Sequence, residues 1–404
     1  MIVWYLLLAL MLFLLFIDYV DNKRKERINI TTIFIVLVLT LLSGVRGSNY
    51  PDLASYKNYF DQIPSLIEYM FSQAEFIRLE PLYQLLISFF KIFSSNHSFF
   101  LFFQTLLLLM IVVWSLKRIK APINIGLILY FFLLYLSQFG QQRMSIVYVL
   151  CLFATTCAIR KELKKFLIVV LSATMIQYMA ILFLPVYWLH NIITENIKKR
   201  SVISDGPSEE SQEVCVEQSA HYFIDGKYLT PILNYKFLLK ILILIVTSIF
   251  LTMQYNIWID VISFLKESSG LLVNNIYAEK LINYFSRINE DVNIMNALFG
   301  LSANITILFF IFYFRKFWLS SNNRVLFVNF SFGLVLFIIS YDFPWLTDRL
   351  LRMYGVTSLI IIFSLMIATK KNPIIFIPFI LSISVYIYLA KIASETGSYN
   401  MMSI

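Results

Sequence analysis

Charge is scarce in this 404-residue chain: Asp, Glu, Lys and Arg make up 14% of it, where soluble domains carry about 25%. Hydrophobic residues fill 59%, more apolar surface than a water-soluble fold hides in its interior. A soluble globule is thereby excluded. Glycine (11) and proline (10) are sparse, which excludes collagen-like repeats and low-complexity disorder. With three cysteines there is no disulfide scaffold: Cys151 and Cys157 share one apolar run, Cys215 lies in a polar stretch, and free thiols are expected. The three histidines, His97, His190 and His221, stand far apart with no HExxH, so a zinc hydrolase is unsupported. No GxxxxGK[ST] and no glycine-rich dinucleotide loop occurs, and neither a cofactor nor a metal is expected.

What the chain does have is long apolar runs. They fall at about residues 1–17, 29–45, 98–116, 122–139, 144–159, 163–179, 236–254, 297–314, 324–340, 350–369 and 373–390. A span needs roughly 20 residues, and the alternating ten-residue pattern of a membrane β-barrel is missing. The expected fold is an all-α polytopic membrane protein of about 11–12 transmembrane helices, one transmembrane domain over 1–404. The first run lacks a basic flank and a small-residue cleavage site, so it reads as a retained span. Pro81–Phe93 and Ala180–His190 are too short to cross comfortably and read as re-entrant or broken segments.

The net charge of +9 is not a nucleic-acid stripe, because the cations sit in short clusters between spans. These are Lys23–Arg27, Lys117–Lys120, Arg160–Lys165, Lys198–Arg200, Arg315–Arg324 and Lys370–Lys371. All six lie in the cytoplasm if Pro81–Phe93 returns to its own side and Ala180–His190 completes a second crossing. Loops 46–80 and 255–296 are then external; the latter holds apolar residues at helical spacing, as amphipathic helices would. The loop 191–235, with its acidic Ser204–Gln218, is cytoplasmic and reads as mobile.

Charges at span edges are costly and default to functional candidates. Arg46 ends the second span, Arg143 opens another, and Arg349 and Arg352 lie one helical turn apart, sharing a face. All four fall on the expected outer side. A guanidinium binds phosphate oxygens in pairs and keeps its charge when half buried, so arginines from three regions suggest a diphosphate site. The bland alternative is that each snorkels to lipid headgroups. Asp52 and Glu80 are the carboxylates placed to orient or deprotonate an incoming hydroxyl. Asp61, Glu68 and Glu75 read as solvated surface.

In this order the residues resemble the EpsG family of Wzy-type bacterial polysaccharide polymerases. Arg46, Asp52, Tyr56 and Phe60 are similar to its first block, and Glu80-Pro81-Leu82-Tyr83 to its E-P-x-[YF] start of a short helix. Gln142-Arg143 resembles its R-Q block, Ser172 through Pro185 its S…H…P stretch, and Arg349-Leu350 with Tyr354 its late block. Two positions depart: Gln177 stands where the family has histidine, and Met144 rather than glutamine follows Arg143.

The resemblance implies an enzyme that joins oligosaccharide repeat units carried on undecaprenyl diphosphate, as in O-antigen, capsule or exopolysaccharide synthesis. It would work at the outer face of the bacterial cytoplasmic membrane. Arg46, Arg143, Arg349 and Arg352 would bind the donor diphosphate, Asp52, Glu80 and Arg143 would serve catalysis, and Tyr56, Gln142, Gln177 and Tyr354 would touch sugar. Expected partners are the lipid-linked substrate, membrane lipid, a chain-length regulator and a flippase; nucleic acid is not expected. A flippase of lipid-linked oligosaccharides, or a GT-C-like glycosyltransferase or ligase, remains the alternative reading.

Overall fold

A computed structural model describes residues 28–45, 51–71, 79–135, 141–188 and 349–369, together with residues 10, 13–14, 326, 329–333 and 335–336. Among the described residues all regular structure is helical. The chain divides into two compact units, the first of residues 1–227, 320–327 and 356–404, the second of 228–319 and 328–355.

In the first unit, α1 (Ile30–Val45) opens at Asn29, whose side chain accepts from the Thr32 amide at 2.9 Å. That capping bond meets an orphan donor of the first turn. The helices α2 (Pro51–Gln62), α3 (Leu66–Phe71) and α4 (Pro81–Lys91) follow. Pro81 starts α4 because a proline without an N–H costs nothing in a first turn, and Glu80 before it is extended, as a residue preceding proline prefers. In α3, Glu68 accepts the Ser65 amide at 3.0 Å, which gives that acid a capping role.

The longest element is α5 (His97–Arg118), capped where the Asn96 side chain accepts from the Ser98 amide at 2.8 Å. Then come α6 (Ile123–Tyr130), continued by a π turn at Phe131–Tyr135, α7 (Gln142–Ile159), α8 (Leu163–Ile176), a 3-10 turn at Tyr178–Phe183, and α9 (Thr357–Thr369). By length and composition α5 and α7 are candidate membrane spans. Nearly every residue of α7 is buried. It is the central helix, and α5, α8 and α9 pack on it.

Hydrogen bonds at both ends set the direction of each helix. Ser43 accepts from the Thr105 hydroxyl at 2.7 Å, whereas Thr32 donates to Asn124 at 2.6 Å just past the end of α5. So α1 and α5 are antiparallel. The C-termini of α5 and α7 and the N-terminus of α8 meet where Glu162 pairs with Arg118 at 2.7 Å and Lys165 at 3.0 Å. Two of the basic clusters therefore share one end of the bundle, as the charge pattern requires.

The two short segments behave as their parity demands. Both Tyr83 and Phe90 reach Phe100, with ring centroids at 6.3 and 5.7 Å, so α4 lies across α5 and begins and ends at the same end of the bundle. Beyond α8 the chain turns at Gln177, which is extended, and runs back until the Tyr187 hydroxyl donates to the Lys161 carbonyl at 3.3 Å. The expected span at 163–179 is thus shorter than its apolar run, since α8 stops at Ile176 and the return begins with Tyr178. Segment 46–80 is not simply a loop; α2 and α3 lie within it.

Helices of the first unit carry large apolar side chains on their outward faces. In α1 the buried side includes Thr32, Thr40 and Ser43, while Ile30, Ile33, Phe34, Leu37 and Leu41 face outward. In α8, Ile168, Leu171 and Met175 are exposed opposite the buried Phe166, Val170 and Ala173. Large apolar side chains facing outward, with a few small polar ones among the inward residues, suit lipid, where helix association rests on close packing and interhelical hydrogen bonds. It points to a membrane protein. Runs 236–254, 297–314 and 373–390, loops 191–235 and 255–296, and most of 1–17 and 324–340 lie outside the described residues.

Candidate functional site

The end of the bundle opposite Glu162 brings together three side chains from three helices. Arg143, on the first turn of α7, forms an ion pair with Glu80, whose carboxylate stands at the N-terminus of α4. The Glu80 side chain is 6% exposed and that of Arg143 20%. From α2, the Tyr56 hydroxyl accepts from Arg143 Nε at 3.4 Å, and the guanidinium lies over the same ring, 5.7 Å from its centroid. A planar, delocalised cation makes both contacts at once.

Around this pair the polar contacts continue inward. The Tyr83 hydroxyl donates to Gln142 Oε1 at 3.2 Å, and Gln104 Nε2 donates to the Gln142 carbonyl at 3.3 Å. Tyr83 meets Tyr56 edge-on at 6.3 Å, and Phe60 packs against His97 and Phe100 at 5.2 and 5.5 Å. Lys91, over the Phe60 ring at 4.8 Å, donates to the carbonyls of Asp61 and Ile63 and so ties the end of α4 to the α2–α3 link. Burial pushes its ammonium below the ordinary value, against the pull of Asp61 and Glu68.

Arg143 and Glu80, separated by 63 positions, are coupled because α4 lies crosswise instead of entering the bundle. A carboxylate set against a guanidinium in a mostly buried place makes a charge-assisted hydrogen bond that fixes the arginine's orientation. The arginine, with five N–H donors in all, has capacity beyond Glu80 and Tyr56 for an anionic group.

Residues 29–204 match the EpsG family. That stretch is similar to EpsG-family sequence. EpsG is a Wzy-like polysaccharide polymerase family, and the match covers Tyr56, Glu80, Tyr83, Gln104, Gln142 and Arg143, the whole cluster just described. Together with the apolar helices it points to a membrane protein with a role in polysaccharide synthesis. Neither a curated protein nor a solved structure matches the chain.

The other sequence candidates fall elsewhere. Asp52 belongs to α2, one helical turn before Tyr56. Gln177 forms the extended break between α8 and the returning 3-10 turn. Arg349, Arg352 and Tyr354 belong to the second unit and lie beyond the EpsG match. In that unit Tyr354 is buried and meets Phe332 edge-on at 5.2 Å, close to Gly333, where an added Cβ would fall 2.8 Å from Tyr354 Cβ. Arg46 and Glu75 lie outside the described residues. No group of three metal-ligating side chains occurs among the described residues.

Gln104 escaped the reading of the sequence. Its signal was present: an amide set mid-run in HSFFLFFQTLLLL, where lipid would penalise it unless it met a partner.

Proposed function

We propose that this protein is a membrane glycosyltransferase that joins repeat units carried on a lipid diphosphate, at the outer face of the cytoplasmic membrane. The observation that carries the reading is the Glu80–Arg143–Tyr56 cluster, within the EpsG match and at the end of the bundle opposite the basic clusters.

In the proposed reaction an acceptor-sugar hydroxyl attacks the anomeric carbon of the donor chain. The bond from that carbon to the diphosphate oxygen breaks, the electron pair leaves with the lipid diphosphate, and the hydroxyl proton passes to a carboxylate. The donor is already activated, so no nucleotide is consumed. Arg143 stabilises the charge growing on the departing diphosphate, where a preorganised cation acts strongly because little water competes. Glu80, engaged in the ion pair, keeps that guanidinium oriented. Asp52 is then the carboxylate left to take the proton. Arg46, Arg349 and Arg352 are the further arginines proposed for phosphate, and Tyr56, Gln142, Gln177 and Tyr354 those proposed for sugar.

Arg143→Ala tests this in the living host. A polymerase lacking that arginine leaves single lipid-linked units on the outer surface and loses long chains, with polymerisation down about 10²–10³-fold, as when one preorganised charge-stabilising donor is removed. Units retained on the inner leaflet would instead identify a flippase. Normal chain lengths in the variant would sink the assignment of Arg143.

A further inference from the structure

We propose that Gln104 and Gln142 form a subsite for one hydroxyl of a sugar, beside Arg143 and Glu80; this deepens the polymerase reading and rests on it. Both amides are buried, Gln104 at 5% and Gln142 at 1% exposure. Each is half used. Gln104 spends Nε2 on the Gln142 carbonyl, which also accepts the Ser145 hydroxyl at 2.7 Å, and Gln142 spends Oε1 on the Tyr83 hydroxyl. Gln104 Oε1 and Gln142 Nε2 have no hydrogen-bond partner among the described residues. Leaving a buried amide half satisfied is costly, and native folds do so rarely.

The two unspent atoms are an acceptor and a donor. A hydroxyl gives one hydrogen bond and takes another, so it satisfies both together. A phosphate or carboxylate oxygen accepts only and would leave the Gln104 oxygen facing another acceptor. A lipid tail would satisfy neither. The position agrees with the chemistry: Gln142 immediately precedes Arg143, and the Tyr83 ring that bonds Gln142 also meets Tyr56 edge-on. Arg143 would hold the phosphate end of the substrate while the two amides read an alcohol on the neighbouring sugar. A site built to bond a hydroxyl rejects the analogue lacking it far more strongly than an apolar pocket rejects an added group.

The experiment uses the full-length protein in proteoliposomes with lipid-linked repeat units from the host and a series of analogues, each missing one sugar hydroxyl. On the wild-type protein one analogue is expected to raise KM by about ten- to a hundredfold, with kcat changed less than about twofold. Gln104→Leu should show that same raised KM on the natural unit and no further penalty on that one analogue, while penalties on the others persist. Gln104→Met, which keeps the length of the side chain, should repeat the pattern and separates lost recognition from lost packing. A Gln104 variant with wild-type KM, or one whose losses are equal across the whole series, overturns the subsite and leaves the polymerase reading standing. Wild-type protein that joins no units overturns both.

Discussion

The two ends of the first unit handle buried charge in opposite ways. At one end a single carboxylate, Glu80, meets a single arginine, with side-chain exposures of 6% and 20%. At the other, Glu162 serves Arg118, Arg160 and Lys165 at 2.7, 3.3 and 3.0 Å, and the last two cations are 51% and 61% exposed. The first arrangement is neutral and mostly buried; removing either partner strands a charge. The second carries surplus positive charge and is more exposed, so losing any one exposed cation matters less. Positive surplus on one side is what sets membrane orientation, whereas a buried pair whose guanidinium has donors to spare suits a site that receives an anionic group. Arg118 is also shielded by Trp114 and Phe153, whose rings lie 5.8 and 5.0 Å from its guanidinium.

The sharpest way to break that contrast is to remove Glu80. Glu80→Gln should cost about 3–5 kcal/mol of stability, because Arg143 is left buried without a counter-charge. Denaturant unfolding of the detergent-solubilised protein reads this directly. The double variant Glu80→Gln/Arg143→Met should recover most of the loss and still make no long chains. Were the two changes simply additive, the pair would be two independent charges and the positioning role of Glu80 would fall.

At the opposite end the effect should be smaller and should depend on pH. Burial alone would raise the Glu162 carboxyl, but hydrogen bonds from Arg118 and Lys165 outweigh it and hold the group below its ordinary 4.5. Its stabilisation is therefore complete above pH 4.5 and is lost as pH falls through the lowered value of the folded state. Glu162→Gln should cost about 1 kcal/mol at neutral pH, less in high salt. It should also flatten the part of the thermal-unfolding profile below pH 4.5 that Glu162 supplies. An unchanged acid limb in the variant would show that the three cations gain nothing from Glu162.

Apolar runs and charge clusters made much of this architecture legible. The helix boundaries at Ile30–Val45, His97–Arg118 and Gln142–Ile159 follow from hydropathy with capping signals such as Asn29 and Asn96. Parity of the basic clusters predicted that Pro81–Phe93 returns to its own side, and α4 does so by lying across Phe100. What stayed hidden was pairing across distance. Nothing in local pattern says that Glu80 meets Arg143 or that Gln104 meets Gln142, because tertiary packing chooses those partners. The reversal was expected between 179 and Ala180 and falls at Gln177 instead, because apolar residues continue on both sides and blur its place.

Helix endings supply the finest test of the contrast. The C-termini of α5 and α7 close with the same motif: Lys120 N–H to the Lys117 carbonyl with Ala121 N–H to Leu116, and Lys161 N–H to Ala158 with Glu162 N–H to Cys157. The residue in the left-handed position is lysine both times, with φ of 54° at Lys120 and 59° at Lys161, where glycine is the usual occupant. An L-residue there costs roughly 1–2 kcal/mol, partly offset by the entropy glycine would lose on folding. Lys161→Gly should therefore raise stability by about 0.5 kcal/mol, read as a small rise in unfolding temperature. Orientation should not change, because Arg118, Arg160 and Lys165 keep that end positive. If Lys161→Gly is destabilising instead, the ammonium contributes more than its backbone strain costs, and this end would depend on individual charges much as the Glu80–Arg143 end does.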